Sequence, residues 1–150
     1  KGYGNSNDAF HPSSTSAEGE GPYLSMKRAL DIAGLSPAAI DFINAHGTAT
    51  ENNDETESAA MLRLFDQAPA FASTKSYTGH TLGAAGAVEA VYSILSLQHQ
   101  EVYSSLHFKD AIDSTGLKPV TQYEKRDLNH VMSNSFGFGG NCTSLIFSKM

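Results

Sequence analysis

The run LGAAGAVEAVYSILSLQ, residues 82–98, decides how the rest of the chain is read. An ordinary surface helix carries one apolar stripe about 100° wide. This run is apolar nearly all round: Leu82, Val88, Val91, Ile94, Leu95 and Leu97, with Ala84, Ala85, Ala87 and Ala90 between them. Its single charged side chain is Glu89. Gly83 and Gly86 would each cost about 1 kcal/mol against Ala inside a helix, which implies backbone approaching closely there. The pattern predicts a central helix buried between layers, with Glu89 needing a counter-charge or a cation.

Working upstream, Ala70–Thr74 is a short strand that delivers Lys75 and the segment K-S-Y-T-G-H, ending at His80. Before it, Asn53 is a candidate N-cap, with Asp54, Glu55 and Glu57 in the first turn, where the helix dipole favours acids. Glu57, Met61, Leu64 and Phe65 fall at i, i+4, i+7 and i+8, so one carboxylate lies on the apolar stripe and points inward. Ile40–Ala45 reads as a buried strand ending at His46-Gly47. Pro22 opens an amphipathic helix as its first residue, and Gly34 closes it as a left-handed cap. Residues 1–20 read as a strand remnant and a loop. Downstream, residues 100–130 are mixed, with a loop around Asp113–Gly116. Val131–Ser135 and Cys142–Ser148 are two strands joined by the glycine-dense turn F-G-F-G-G. Strands alternating with helices give an α/β domain with a mixed sheet.

At 150 residues the chain suffices for one domain with a real core. A hydrophobic fraction of 40% excludes a disordered chain, and no apolar run approaches the roughly 20 residues of a membrane span. Sixteen acidic against ten basic side chains give a net charge of −6, which argues against nucleic acid as a partner. The lone Cys142 rules out an internal disulfide and suits a reducing, cytoplasmic compartment. Lys1–Asn5 shows neither an initiator Met nor an apolar leader, as an excised or processed piece would.

Three motifs now stand in order: N-A-H-G-T-A-T at 44–50, with Glu57 after it; S-T-K-S-Y-T-G-H-T-L-G-A-A-G-A-V-E at 73–89; and S-N-S-F-G-F-G-G-N at 133–141. Together they resemble the C-terminal half of a β-ketoacyl-(acyl carrier protein) synthase of the elongating Cys-His-His type, and also the ketosynthase domains of polyketide synthases. The resemblance implies a thiolase-like fold of two similar halves, of which residues 1–150 form the second. The first half, with the nucleophilic cysteine, is absent.

The implied reaction is a decarboxylative Claisen condensation of malonyl carrier protein with an acyl thioester, in fatty-acid or polyketide synthesis. His46 and His80 would stabilise the enolate by donating hydrogen bonds in a dry pocket. Lys75 would hold their geometry through buried carboxylates, Glu57 first and Asp54 second. Phe136 would be the gatekeeper, its N–H part of the oxyanion hole and its ring swinging with acyl entry. Thr48 and Thr50 would meet the phosphopantetheine arm, with a strand-end or capping role nearly as good a fit, and Phe138 would bind substrate. No cofactor is implied beyond the carrier's own arm. Glu89, Asn44, Ser133 and Asn134 would surround a structural monovalent cation. The implied partners are acyl and malonyl carrier proteins, the missing N-terminal half and a second copy in a homodimer. The acidic net charge gives docking of an acidic carrier no support without a local basic patch.

Cys142 begins a strand, where family members commonly carry asparagine, and reads as a small buried hydrophobe. Glu51-Asn52-Asn53 replaces the usual proline- or glycine-containing turn, and the 108–130 region is shorter than typical. A dinucleotide-binding turn at Thr78–Gly86 lacks the tight G-x-G spacing. A zinc site from His46, His80 and Cys142 has no supporting ligand signature. The rival from another class is a non-catalytic scaffold or chain-length partner subunit. Retention of both histidines and Lys75 favours a catalyst, one expected to be inactive as residues 1–150 alone.

Overall fold

The computed structural model describes residues 1–150. Strand β1 (Gly2–Asn7) leads into helix α1 (Glu20–Ala33), then β2 (Phe42–Asn44), α2 (Glu51–Leu64), β3 (Ala70–Ala72) and the single-turn α3 (Lys75–Thr78). Helix α4 (Ala85–His99), the small strands β4 (Glu101–Val102) and β5 (Glu124–Lys125), and the hairpin β6 (His130–Phe136) and β7 (Asn141–Ser148) complete the chain. The main sheet has five strands in the order β1-β7-β6-β2-β3. β1, β7 and β6 pair antiparallel, whereas β6, β2 and β3 run parallel, so the sheet is mixed.

Alternation along the strands sorts the layers, since successive side chains face opposite sides. Ile43 and Met132 join Met26, Ala29, Ala60 and Met61 in the larger core, beneath α1 and α2. Phe42 and Val131 join Leu97, Val102 and Leu128 in the smaller one, beneath α4. β1 lies unusually close to α1: a Cβ at Gly4 would stand 2.0 Å from the Ser25 carbonyl oxygen, so only glycine allows this approach.

Several sequence expectations shift. α1 begins at Glu20, not Pro22, which occupies the third helical position, still within the first turn where no intrahelical N–H bond is lost. Gly34 caps the helix at φ 67, as read from the sequence. α2 begins at Glu51, so Asn53 is helical and not the N-cap. The Asp54 amide already bonds Thr50 O, and the Asp54 carboxylate takes the Ala49 N–H, closing the turn three residues early. The Leu82 amide bonds the His80 ring, leaving Leu82–Ala84 as a 3-10 turn ahead of α4. The β4–β5 pair carried no sequence signal.

The central helix is buried on one face only, and that face is the polar one. Ala85, Glu89, Ser93, Ser96 and Leu97 are turned inward, while Leu82, Val91 and Ile94 are 78%, 56% and 47% exposed. The sheet-facing side is polar because Glu89 finds a lysine there and Ser93 bonds back to the Glu89 carbonyl. The apolar side has no layer over it within residues 1–150.

Candidate active site

The parallel strands β2 and β3 end side by side, and the last bond between them runs from the Ala45 amide to Ala72 O (2.9 Å). Two loops leave from this point, one carrying His46 and the other leading through α3 to His80. Ligand sites of open α/β sheets sit at such carboxyl ends.

Glu57 clamps the first loop from below. Its carboxylate accepts the amides of His46 (3.0 Å) and Gly47 (2.9 Å), and also the Asn134 side-chain amide (3.2 Å). Glu57 is 2% exposed, and burial raises its pKa, with the bonds from Gly47, Asn134 and His46 pulling it back. It therefore faces inward as its helical spacing requires, but it does not pair with Lys75. Asp54 is engaged at Ala49 and likewise makes no bond to Lys75.

The partner of Lys75 is Glu89. The two side chains form an ion pair and are 7% and 2% exposed. The Lys75 Nζ also donates to the His46 carbonyl (2.5 Å) and lies 3.2 Å from His46 Nδ1. Burial raises the Glu89 pKa, and Lys75 offsets this.

This arrangement fixes the proton on His46. An ammonium only donates, so Nδ1 accepts and Nε2 carries the hydrogen. Burial first, then Lys75 and His80, push the His46 pKa down to about 3, so the ring is neutral at physiological pH. His80 presents the same nitrogen by a different contact: its Nδ1 accepts the Leu82 amide (3.1 Å), which leaves Nε2 as the donor. The two rings stand 5.5 Å apart at 84°. His46 is buried and His80 is exposed, so residues 1–150 do not themselves close the dry pocket expected around the pair.

Phe136 is 7% exposed, with its ring 5.7 Å from that of His46. Its ring thus rests against the His46 imidazole where the glycine turn begins. The free ring is Phe138, 81% exposed on the turn where Gly139 and Gly140 take φ 78 and 79. A cavity of about 530 Å³ opens between α2 and the 105–119 segment, lined by Thr48, Met61, Phe71, Lys75, His80 and Leu106 among others. The Phe136 turn does not line it. Thr50 stays outside the lining too, its hydroxyl 2.9 Å from that of Thr48.

The cation quartet is not assembled. Asn134 faces α1 and α2, donating to Glu57 and accepting from Ser144 Oγ (2.8 Å), whereas Glu89 lies across the sheet with its charge met by Lys75. Asn44 and Ser133 are paired neighbours on the α4 side; Asn44 donates to the Glu89 carbonyl (3.1 Å), and its buried Oδ1 has no partner. One orphaned oxygen suits a cation, but the four side chains do not converge on one. Cys142 is buried, and burial followed by Asp8 pushes its thiol up to about 12, so it is no nucleophile. Sequence reasoning assigned no role to Ser73, Ser104 or Ser105, which bond the loops around the histidines; a serine carries no periodic signal.

Comparison with known proteins identifies the family. The sequence model of the β-ketoacyl synthase C-terminal domain matches residues 1–109. The mitochondrial 3-oxoacyl-[acyl-carrier-protein] synthase of Arabidopsis thaliana is 44% identical over 156 residues, covering 99% of this chain and 34% of the relative. The 3-oxoacyl-[acyl-carrier-protein] synthase 2 of Rhizobium meliloti (strain 1021) is 44% identical over 152 residues, covering 99% and 36%. Among solved structures, the ketosynthase ApeO with its chain length factor ApeC, from Xenorhabdus doucetiae, superposes with a TM-score of 0.90 at 43% identity, over 99% of this chain and 38% of that one. A β-ketoacyl synthase from Burkholderia phymatum STM815 gives 0.93 at 36% identity, over 99% and 36%. The chain thus spans about a third of the length of these relatives. With a thiolase-like α/β fold and this match over most of its length, the chain belongs to the β-ketoacyl synthase C-terminal domain family.

Proposed function

We propose that residues 1–150 form the C-terminal half of a 3-oxoacyl-(acyl carrier protein) synthase and supply the histidine pair for decarboxylative condensation. The observation that carries this is the state of the two imidazoles: 5.5 Å apart, each with Nδ1 occupied by a donor and Nε2 left to donate. In the malonyl thioester the bond to the carboxylate breaks, CO2 leaves, and the electron pair passes into an enolate. Nε2–H donors at the thioester oxygen stabilise that charge as it develops. The carbanion carbon then attacks an acyl thioester held on a cysteine, whose thiolate departs. The cysteine comes from outside this chain, since Cys142 remains a buried thiol. The exposed apolar face of α4 is where an N-terminal half would pack. Residues 1–150 alone would therefore be inactive.

The substrates would arrive on acyl and malonyl carrier proteins. A ketosynthase related at 28% identity has been solved in complex with its acyl-carrier protein. The rival reading, a partner subunit without chemistry, draws on neighbours solved as ketosynthase and chain-length-factor pairs. A His46 held neutral by burial first and by the Lys75 ammonium second favours the catalyst, because a scaffold has no use for a tuned imidazole.

In the full-length protein, His46→Ala or His80→Ala should slow CO2 release from malonyl carrier protein by about 10²–10³-fold, while acylation of the cysteine continues. CO2 release at the parent rate in either variant would sink the reading.

A further inference from the structure

Ser73 lies where the chain leaves β3 for α3, and each of its polar groups is engaged. Its amide donates to Ser105 Oγ (2.9 Å), and its carbonyl accepts from Ser76 Oγ (3.2 Å). Its hydroxyl donates to the Gly47 carbonyl (2.9 Å) and accepts the Lys75 amide (3.3 Å). One oxygen thus touches both loops: the one carrying His46 and the one that begins with Lys75 and ends at His80.

Little else joins them. Beyond the Ala45–Ala72 bond, no backbone hydrogen bond links residues 46–48 to residues 73–80; besides Ser73, Lys75 Nζ bridges them through His46. α3 has four residues, too few for cooperative helix stability, so its placement depends on side-chain bonds. The loops also touch without spare volume, since a Cβ on Gly47 would stand 2.6 Å from Ser73 Cβ. Behind α3, segment 104–106 completes the brace: the Leu106 amide bonds Ser76 Oγ (3.0 Å), and Ser104 Oγ pairs with the Tyr77 hydroxyl (2.9 Å).

We propose that Ser73 is the positioning residue of the histidine pair, its hydroxyl setting the separation between the His46 loop and the segment that carries Lys75 and leads to His80. The assignment rests on reading those imidazoles as the reacting pair and deepens it, by naming what holds them in place.

The test is a titration of the imidazole signals of the chain by NMR. The charged and titratable groups facing His46 are Lys75, with Glu89 behind it, His80, and Glu57 at its amide. Ser73→Ala should release Lys75 from Nδ1 and admit water. The expected result is an upward shift of the His46 titration by about one pH unit or more, with mixed tautomers and unchanged amide signals in α1 and β7. Ser105→Ala removes only the brace and should shift it less, in the same direction. Ser73→Thr keeps the hydroxyl and should restore the parent titration. In the full-length protein, Ser73→Ala should lower kcat for CO2 release about tenfold with KM unchanged. A folded Ser73→Ala chain whose His46 titrates as in the parent overturns the proposal, as does a folded Ser73→Thr chain with a shifted His46. A shifted His46 in Ser73→Ala supports it even if the full-length parent proves inactive, a result that strikes only the proposed reaction.

Discussion

Glu57 and Glu89 are equally buried, each 2% exposed, and they are stabilised by contrasting means. Glu57 on α2 is held by three neutral N–H donors, from His46, Gly47 and Asn134. Glu89 on α4 is held by the ammonium of Lys75, with Ser135 at 3.4 Å. Fixed dipoles position a loop and leave no charge stranded when one of them is lost. In a buried ion pair one member can also act on a neighbour, as the Lys75 ammonium does on the His46 ring, but losing either partner strands the other.

The largest expected effect follows from that asymmetry. Lys75→Ala should cost about 3–5 kcal/mol in urea unfolding, because Glu89 is left buried and unpaired. Adding Glu89→Gln to Lys75→Ala should recover a substantial part of the loss, the sign of coupling between two contacting residues. A cost below about 1 kcal/mol for Lys75→Ala would place the pair among surface ion pairs and erase the contrast.

A smaller loss is expected at the dipole-held site. Glu57→Gln turns an amide NH2 toward the His46 or Gly47 N–H and should cost about 1–3 kcal/mol. Costs equal to those of Lys75→Ala would show that formal charge matters as much at Glu57 as at Glu89.

The smallest effect is the pH dependence of that substitution. Burial raises the folded pKa of Glu57 above 4.5, so between 4.5 and the raised value the native chain binds more protons than the unfolded one. The contribution of Glu57 is then full below 4.5 and declines as pH rises through the folded pKa. Glu57→Gln should therefore cost more near pH 4.5 than near about pH 8, with His46 common to both chains and cancelling. Equal costs at the two pH values would mean that the amides offset desolvation fully.

The inward direction of Glu57 was legible from its spacing to Met61 and Phe65, and the hairpin of β6 and β7 from its glycine turn. The lysine's partner was not. Glu57 and Glu89 look alike in sequence, each a single acid on an apolar stretch, and the choice between them depends on α4 crossing beneath β6. The same limit applies to Phe136 and Phe138: two residues apart on one turn, they share motif and chemistry, and only the packing against His46 separates the buried ring from the exposed one. It applies again to Ser133 and Asn134, consecutive residues of β6 that face different layers and so cannot share one ion through their side chains.

The amino-acid order by itself determined the succession of the main strands and long helices, the burial of a carboxylate on α2, the apolar run of α4 and the delivery of each histidine ahead of a helix. Tertiary structure alone decided that Lys75 meets Glu89, that the polar face of α4 turns inward, and that Ser73 joins the two histidine loops. Periodicity reports which side of its own element a residue occupies. The partner across the gap comes from how elements distant in the chain register against one another, and a shift of one residue along a strand exchanges every face.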